Sequence, residues 1–283
     1  MIKKKLPKQL WVYVQLFLAI LFLGITISQV NLSHFWLRFK ETQLEGLAFA
    51  LGFLLLSQVL SAYRLTQVFR FWEIPIGFGA NFRLYFLGMF YNFFLPSGVG
   101  GDALKAIYLK RDFGQSTQLW IKMLFLDRAI GLGALIGILA FFDWGLPTFY
   151  GNSWVLFLAI SGLGYIITRG VFKAGGIFFK AYGLSLGIQL LQLGAAAALI
   201  ETLHLGSSLW ALLKVFLISS IAAIFSFAGV GLREYIFLQS GNILALEAEA
   251  STLVGFWFTI LTALLSLGGL YFILFPKRLQ LKG

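Results

Sequence analysis

The chain contains no cysteine, which excludes disulfides and thiolate metal sites together. Charge is also scarce: Asp, Glu, Lys and Arg make up 12% of 283 residues, roughly half the share of a soluble domain. The only histidines, His34 and His204, stand apart from any cluster of other ligand types, so no metal site is expected. The 11 acidic residues are scattered, with no adjacent pair of the kind that acid–base catalysis needs. No P-loop, dinucleotide fingerprint or nucleophile–base spacing occurs, and no cofactor is implied.

Apolar residues fill the space: 59% are hydrophobic and the mean hydropathy is +0.88. Runs such as Leu10–Ile27, Leu47–Leu60, Lys122–Phe142 and Leu253–Phe275 reach or approach the ~20 residues a spanning helix needs. The 31 glycines suit helices whose backbones approach closely in a membrane. A net charge of +11 raises nucleic acid as a partner, but the basic residues sit at span ends and in short loops instead of one patch. The expected partners are membrane lipids, and no nucleic acid. Lys3, Lys4 and Lys5 ahead of Leu10–Ile27 could open a signal peptide. The long apolar stretch, with no small-x-small cleavage site after it, reads as a retained first span.

Full spans are predicted near residues 10–30, 46–68, 116–142, 152–169, 179–200 and 253–275. Two further apolar segments, 82–111 and 209–246, are broken at Pro96–Gly101 and at Gly229-Val230-Gly231. Broken helices at membrane depth are tolerated where protein or a watery cavity covers them, so each segment reads as a re-entrant helical hairpin. Charge asymmetry supports this reading. Lys3, Lys4, Lys5 and Lys8 place the N-terminus in the cytoplasm, and Arg64, Arg70 and Arg83 mark a cytoplasmic loop. Lys110–Arg111, Arg169 to Lys180, and Lys277 to Lys282 mark the remaining cytoplasmic stretches, the last with the C-terminus. The pattern closes only if 82–111 enters and leaves on the cytoplasmic side and 209–246 on the outer side.

A shift of 131 residues carries Gly98-Val99-Gly100 onto Gly229-Val230-Gly231 and maps the first three spans roughly onto the last three, each in the opposite orientation. The expected fold is therefore an all-α integral membrane domain of six full transmembrane helices plus two re-entrant helical hairpins, arranged as an inverted-topology repeat. Its halves are 1–142 (two spans, hairpin 82–111, one span) and 143–283 (two spans, hairpin 209–246, one span).

Candidate site residues follow from the breaks and the embedded charges. Asn92, Pro96, Gly98, Gly100, Gly101 and Asp102 form the first tip, whose free amides suit an anion; tight packing alone would also account for the glycines. Asp102 could instead cap the following helix, or pair with Arg233, its counterpart in the second tip, which holds Gly229, Gly231, Arg233 and Glu234. Asp127 and Arg128 fall inside a span, and adjacent helical residues do not face each other, so each needs its own partner or a snorkelling route to the interface. Lys105 and Lys122 suit either lipid phosphate or simple interfacial anchoring.

Asn92–Asp102 with Lys105, the Asp127-Arg128 pair, and Gly229 to Glu234 together resemble the flippase-like transmembrane domain of lysylphosphatidylglycerol synthases, across essentially the whole chain. Family members more often carry Glu-Arg where Asp127-Arg128 stands, and Arg where Lys105 stands. The resemblance implies a prokaryotic cytoplasmic-membrane protein that moves a lipid between leaflets without being an enzyme, with the residues above on the headgroup path. It implies a standalone member: nothing in the sequence resembles the cytoplasmic aminoacyl-transfer domain, so lysyl transfer is not expected. The lipid is left open among phospholipids, glycolipids and polyprenyl-linked sugars, as are its direction, any coupling ion and the oligomeric state. Two other classes stand beside transport. One is a membrane partner of a separately encoded synthase or glycosyltransferase; the other is an enzyme on a lipid-linked substrate, with Asp102, Asp127 or Glu234 as acid or base. An ion channel would need rings of like charge that the sequence lacks.

Overall fold

Long apolar runs bounded by short polar turns have one stable solution in lipid, the α-helix, because it satisfies every backbone group internally. The computed structural model describes residues 8–94, 100–142, 153–226 and 229–281, and no strand occurs among them. The helices are α1 (Lys8–Gln29), α2 (Leu32–Glu41), α3 (Leu44–Phe71), α4 (Phe78–Phe94), α5 (Gly100–Phe113), α6 (Thr117–Leu139), α7 (Ser153–Gly170), α8 (Gly175–Thr202), α9 (Leu209–Ala222), α10 (Leu232–Ile243), α11 (Ala248–Ser266) and α12 (Leu270–Leu274).

Helices stand at all six segments expected to span. Four are long and apolar enough to cross a membrane: α3, α7, α8 and the run Ala248–Leu274 built from α11 and α12. The 23-residue α6 is long enough, but Lys122, Asp127 and Arg128 all lie within it. The described part of α1 pairs with α2 across a 95° bend. α7 is nearly bare, with Thr168 its only buried residue. Trp154, Leu158 and Ile166 on α7, Phe17 and Ile20 on α1, and Phe179 on α8 are large apolar side chains left exposed, as suits contact with acyl chains.

α2 was expected to be loop. Asn31 starts it, its side chain accepting from the amides of Ser33 and His34 at 3.1 and 3.3 Å. Phe35 and Phe39 face α11, with Phe39 stacked on Trp257 at 4.6 Å between centroids, and Leu32 and Trp36 stay exposed. Arg38 closes the latch by giving Nε and Nη2 to the Glu247 carboxylate at 2.8 and 2.6 Å.

The described residues fall into two compact units, each drawing on both sequence halves. The first comprises Met1–Leu51, Met89–Gly101 and Ala195–Leu267. Within it α10 packs against α1, α9 and α11. The approach of α1 is so close that a Cβ on Gly231 would collide with the Ala19 carbonyl oxygen. The second comprises Gly52–Gly88, Asp102–Gly194 and Gly268–Gly283. Its apolar core pairs Leu126, Ile130 and Ala134, four residues apart on α6, with Ala174, Ile177, Phe178, Ala181 and Tyr182 at the start of α8. This core holds in place the part of α6 that carries Asp127 and Arg128.

Candidate functional site

The charged residues of the second unit form two linked constructions. Arg64 on α3 donates Nε and Nη2 to the two oxygens of Asp127 on α6, both at 2.8 Å, with the side chains only 8% and 9% exposed. Its Nη1 donates to Ser185 Oγ on α8 at 2.7 Å, and that hydroxyl in turn donates a hydrogen bond to the Ala181 carbonyl. Gly131, one turn beyond Asp127, makes room for the guanidinium: a Cβ there would lie 2.9 Å from Nη1. This is a fork-on-fork pair in which each of the three guanidinium nitrogens has a partner, the arrangement a buried ion pair requires.

One residue along α6, Arg128 points elsewhere and gives Nε to Asp102 Oδ2. The other oxygen of Asp102 accepts from Lys105 Nζ, one turn on in α5, at 3.2 Å. Lys105 lies over the Tyr85 ring, 4.5 Å from its centroid, in space that Gly88 leaves open. Tyr85 O–H donates to Gln58 Oε1 at 3.3 Å, extending the polar ground onto α3. Arg64 and Asp127 cancel, while Asp102 faces two cations, so the five charges sum to one excess positive charge. That excess is at the surface: the Arg128 side chain is 49% exposed, against 12% for Asp102 and 6% for Lys105.

The broken helix α4/α5 is tied across its gap. Asn92 Oδ1, near the end of α4, accepts the Gly101 amide at 2.8 Å and satisfies one free N–H at the α5 start. Gly100 opens α5. Pro96 and Gly98 lie outside the described residues.

The first unit holds the second glycine motif. Gly229 and Gly231 have φ of +81° and +80°, the region that favours glycine, and they turn the chain into α10. Glu234 folds back over the helix start, accepting the Gly231 amide at 2.6 Å, and takes the Thr259 hydroxyl of α11 at 2.7 Å. Arg233 is buried over the ring of Phe258, 4.5 Å from its centroid, with Phe216 at 5.9 Å.

Several sequence readings change. Asp102 does not cap α5, where Asn92 serves the Gly101 amide; within its own unit its two oxygens are engaged by Lys105 and Arg128. Arg64, expected as a loop charge, is buried inside α3, which continues to Phe71. Sequence reasoning missed Arg64, Tyr85, Ser185 and Thr259 as parts of polar clusters. The available signal was the run Ser57, Ser61 and Arg64, which returns to one face of α3 every three or four residues.

No curated protein and no solved structure matches the chain. A family model does match, over residues 12–172, more than half of the chain and inclusive of α4, α5 and the Asp127-Arg128 pair. The motif at Gly229–Glu234 lies beyond it. With this match and, among the described residues, four apolar helices long enough to cross a membrane, the protein belongs to the lysylphosphatidylglycerol synthase TM region family.

Proposed function

We propose that this chain is a lipid flippase, moving a phospholipid or lipid-linked headgroup between leaflets while the acyl chains stay in the bilayer. The single observation that carries this reading is the excess positive charge presented by Arg128, half exposed beside the neutralised pairs of Asp102, Lys105, Arg64 and Asp127. A fully compensated cluster would be structural. A guanidinium with exposed surface inside an apolar helix bundle suits a passing phosphate. Six spans, two opposed re-entrant hairpins and cytoplasmic termini in a prokaryotic cytoplasmic membrane complete the proposal, with Asp102, Lys105, Asp127 and Arg128 in one unit and Asn92, Gly100, Gly101, Gly229, Gly231, Arg233 and Glu234 in the other as the proposed headgroup contacts. The family membership supports a lipid-related role.

Reconstitution into liposomes bearing headgroup-labelled lipids tests it. Arg128→Gln is expected to lower the translocation rate at least about ten-fold, the loss of one charge-assisted contact of ~1.4 kcal/mol or more. Wild-type rates equal to protein-free liposomes, or unchanged in Arg128→Gln, would remove the basis for transport. The family is named for the membrane part of a synthase, and this favours one second reading, a membrane partner for a separately encoded synthase or glycosyltransferase. Copurification of such an enzyme, with no translocation by the chain alone, would select that reading.

A further inference from the structure

Among the described residues Arg233 is a buried guanidinium whose surroundings do not account for its charge. It is 8% exposed, and among the described residues no carboxylate lies within ion-pairing distance of it in its own unit. Its Nε is fully buried and has no hydrogen-bond partner. The neighbouring carboxylate is spoken for: Glu234 turns both oxygens away, to the Gly231 amide and the Thr259 hydroxyl. Arg233 rests instead against the rings of Phe258 and Phe216, and over Gly229, where a Cβ would stand 3.8 Å from its Cζ and Nη2. Gly255 on α11 gives its stem room, a Cβ there falling 3.2 Å from Cγ. Aromatic faces offset part of the cost of a buried cation, but they accept no N–H. Removing a guanidinium from water without an acceptor is costly, and protein sites that hold one do so against an anion.

We infer that Arg233 is the core of an anion site that takes a phosphate oxyanion against its guanidinium fork, where α10 packs against Phe216 of α9 and Phe258 of α11. The phosphate comes from a lipid phosphodiester or from inorganic phosphate in the water phase, and both present the paired oxygens that the fork matches. The inference extends the transport reading to a second cation, yet it is tested by binding, so its failure leaves transport at Arg128 standing.

The test is thermal unfolding of the full chain in a nonionic detergent, titrated separately with phosphatidylglycerol, with inorganic phosphate and with a neutral galactolipid. The wild type is expected to be stabilised by at least one phosphate-bearing additive and not by the galactolipid. Stabilisation by phosphatidylglycerol alone names a lipid source; stabilisation by inorganic phosphate as well names a site open to water. In Arg233→Gln the concentration for half-maximal stabilisation should rise at least about ten-fold, with Arg233→Lys in between because it keeps the charge but loses the fork. Without additive, Arg233→Gln and Arg233→Met should be as stable as the wild type, since each removes an uncompensated buried charge. Arg128→Gln is titrated alongside. A stabilisation that Arg128→Gln loses and Arg233→Gln keeps belongs to the other cluster and overturns the inference. So does a wild type indifferent to both phosphate sources, or an Arg233→Met variant that unfolds early without additive, which would make Arg233 a purely structural residue.

Discussion

Replacing Asp127 by Asn isolates the energetic role of the buried pair. In the wild type both carboxylate oxygens accept from Arg64 at 2.8 Å, and both side chains are at least nine-tenths covered. An amide can accept one of those two N–H groups, but it turns an N–H₂ against the other and leaves the guanidinium without a counter-charge. Breaking one side of such a pair costs about 3–5 kcal/mol, because the remaining charge stays buried. Removing both charges is far milder, so adding Arg64→Met to Asp127→Asn should recover most of that loss. At about 2–4 °C per kcal/mol for a chain somewhat smaller than this one, Asp127→Asn should lower the midpoint by roughly 6–20 °C. Unfolding in mixed micelles, followed by tryptophan fluorescence across the four-member cycle, measures the coupling. A single variant within about 1 kcal/mol of the wild type, or a double variant equal to the sum of the singles, would refute the assignment of Arg64 and Asp127 as a mutually dependent pair.

Two glycines give further tests. Gly131→Ala places a methyl group 2.9 Å from Arg64 Nη1, so the guanidinium must leave Ser185. A stability loss of about 1–3 kcal/mol is expected in the same unfolding assay, and it should vanish in the Arg64→Met background. Gly231→Ala meets two obstacles, a φ of +80° and the Ala19 carbonyl. Strain of about 1–2 kcal/mol from the left-handed backbone adds to the backbone clash, so the yield of monodisperse protein on gel filtration should fall sharply; an unchanged yield would contradict the described approach of α1 to α10.

Much of this architecture is legible in the sequence because the bilayer imposes a length on apolar runs, and every segment expected to span contains a helix. What fails to read out is pairing across helices. Asp102, Lys105, Asp127 and Arg128 stand out as charges in apolar surroundings, but which of them meet depends on helix rotation and crossing, and Arg64 lies 63 residues from Asp127. Arg64 itself reads as a loop charge because positive residues near span ends usually are; it is buried because α3 continues well past its apolar run Leu47–Leu60, to Phe71, and Asp127 and Ser185 receive the guanidinium. The helix α2 escaped notice for a related reason. Its ten residues have no buried member, and the latch that holds it comes from Glu247 and Trp257, more than 200 positions away.

The two consecutive charges on α6 have a mechanical consequence. Successive residues leave a helix about 100° apart, and here one is gripped by α3 and the next by α5. A rod gripped at a single point can still spin about its long axis; gripped at two angles within one turn, it cannot. Rotation of α6 would have to break two ion pairs together, so α3, α5 and α6 behave as a keyed assembly. Any rocking that carries a headgroup past Arg128 would have to move these three helices as a body, and the give would lie at the assembly's edges.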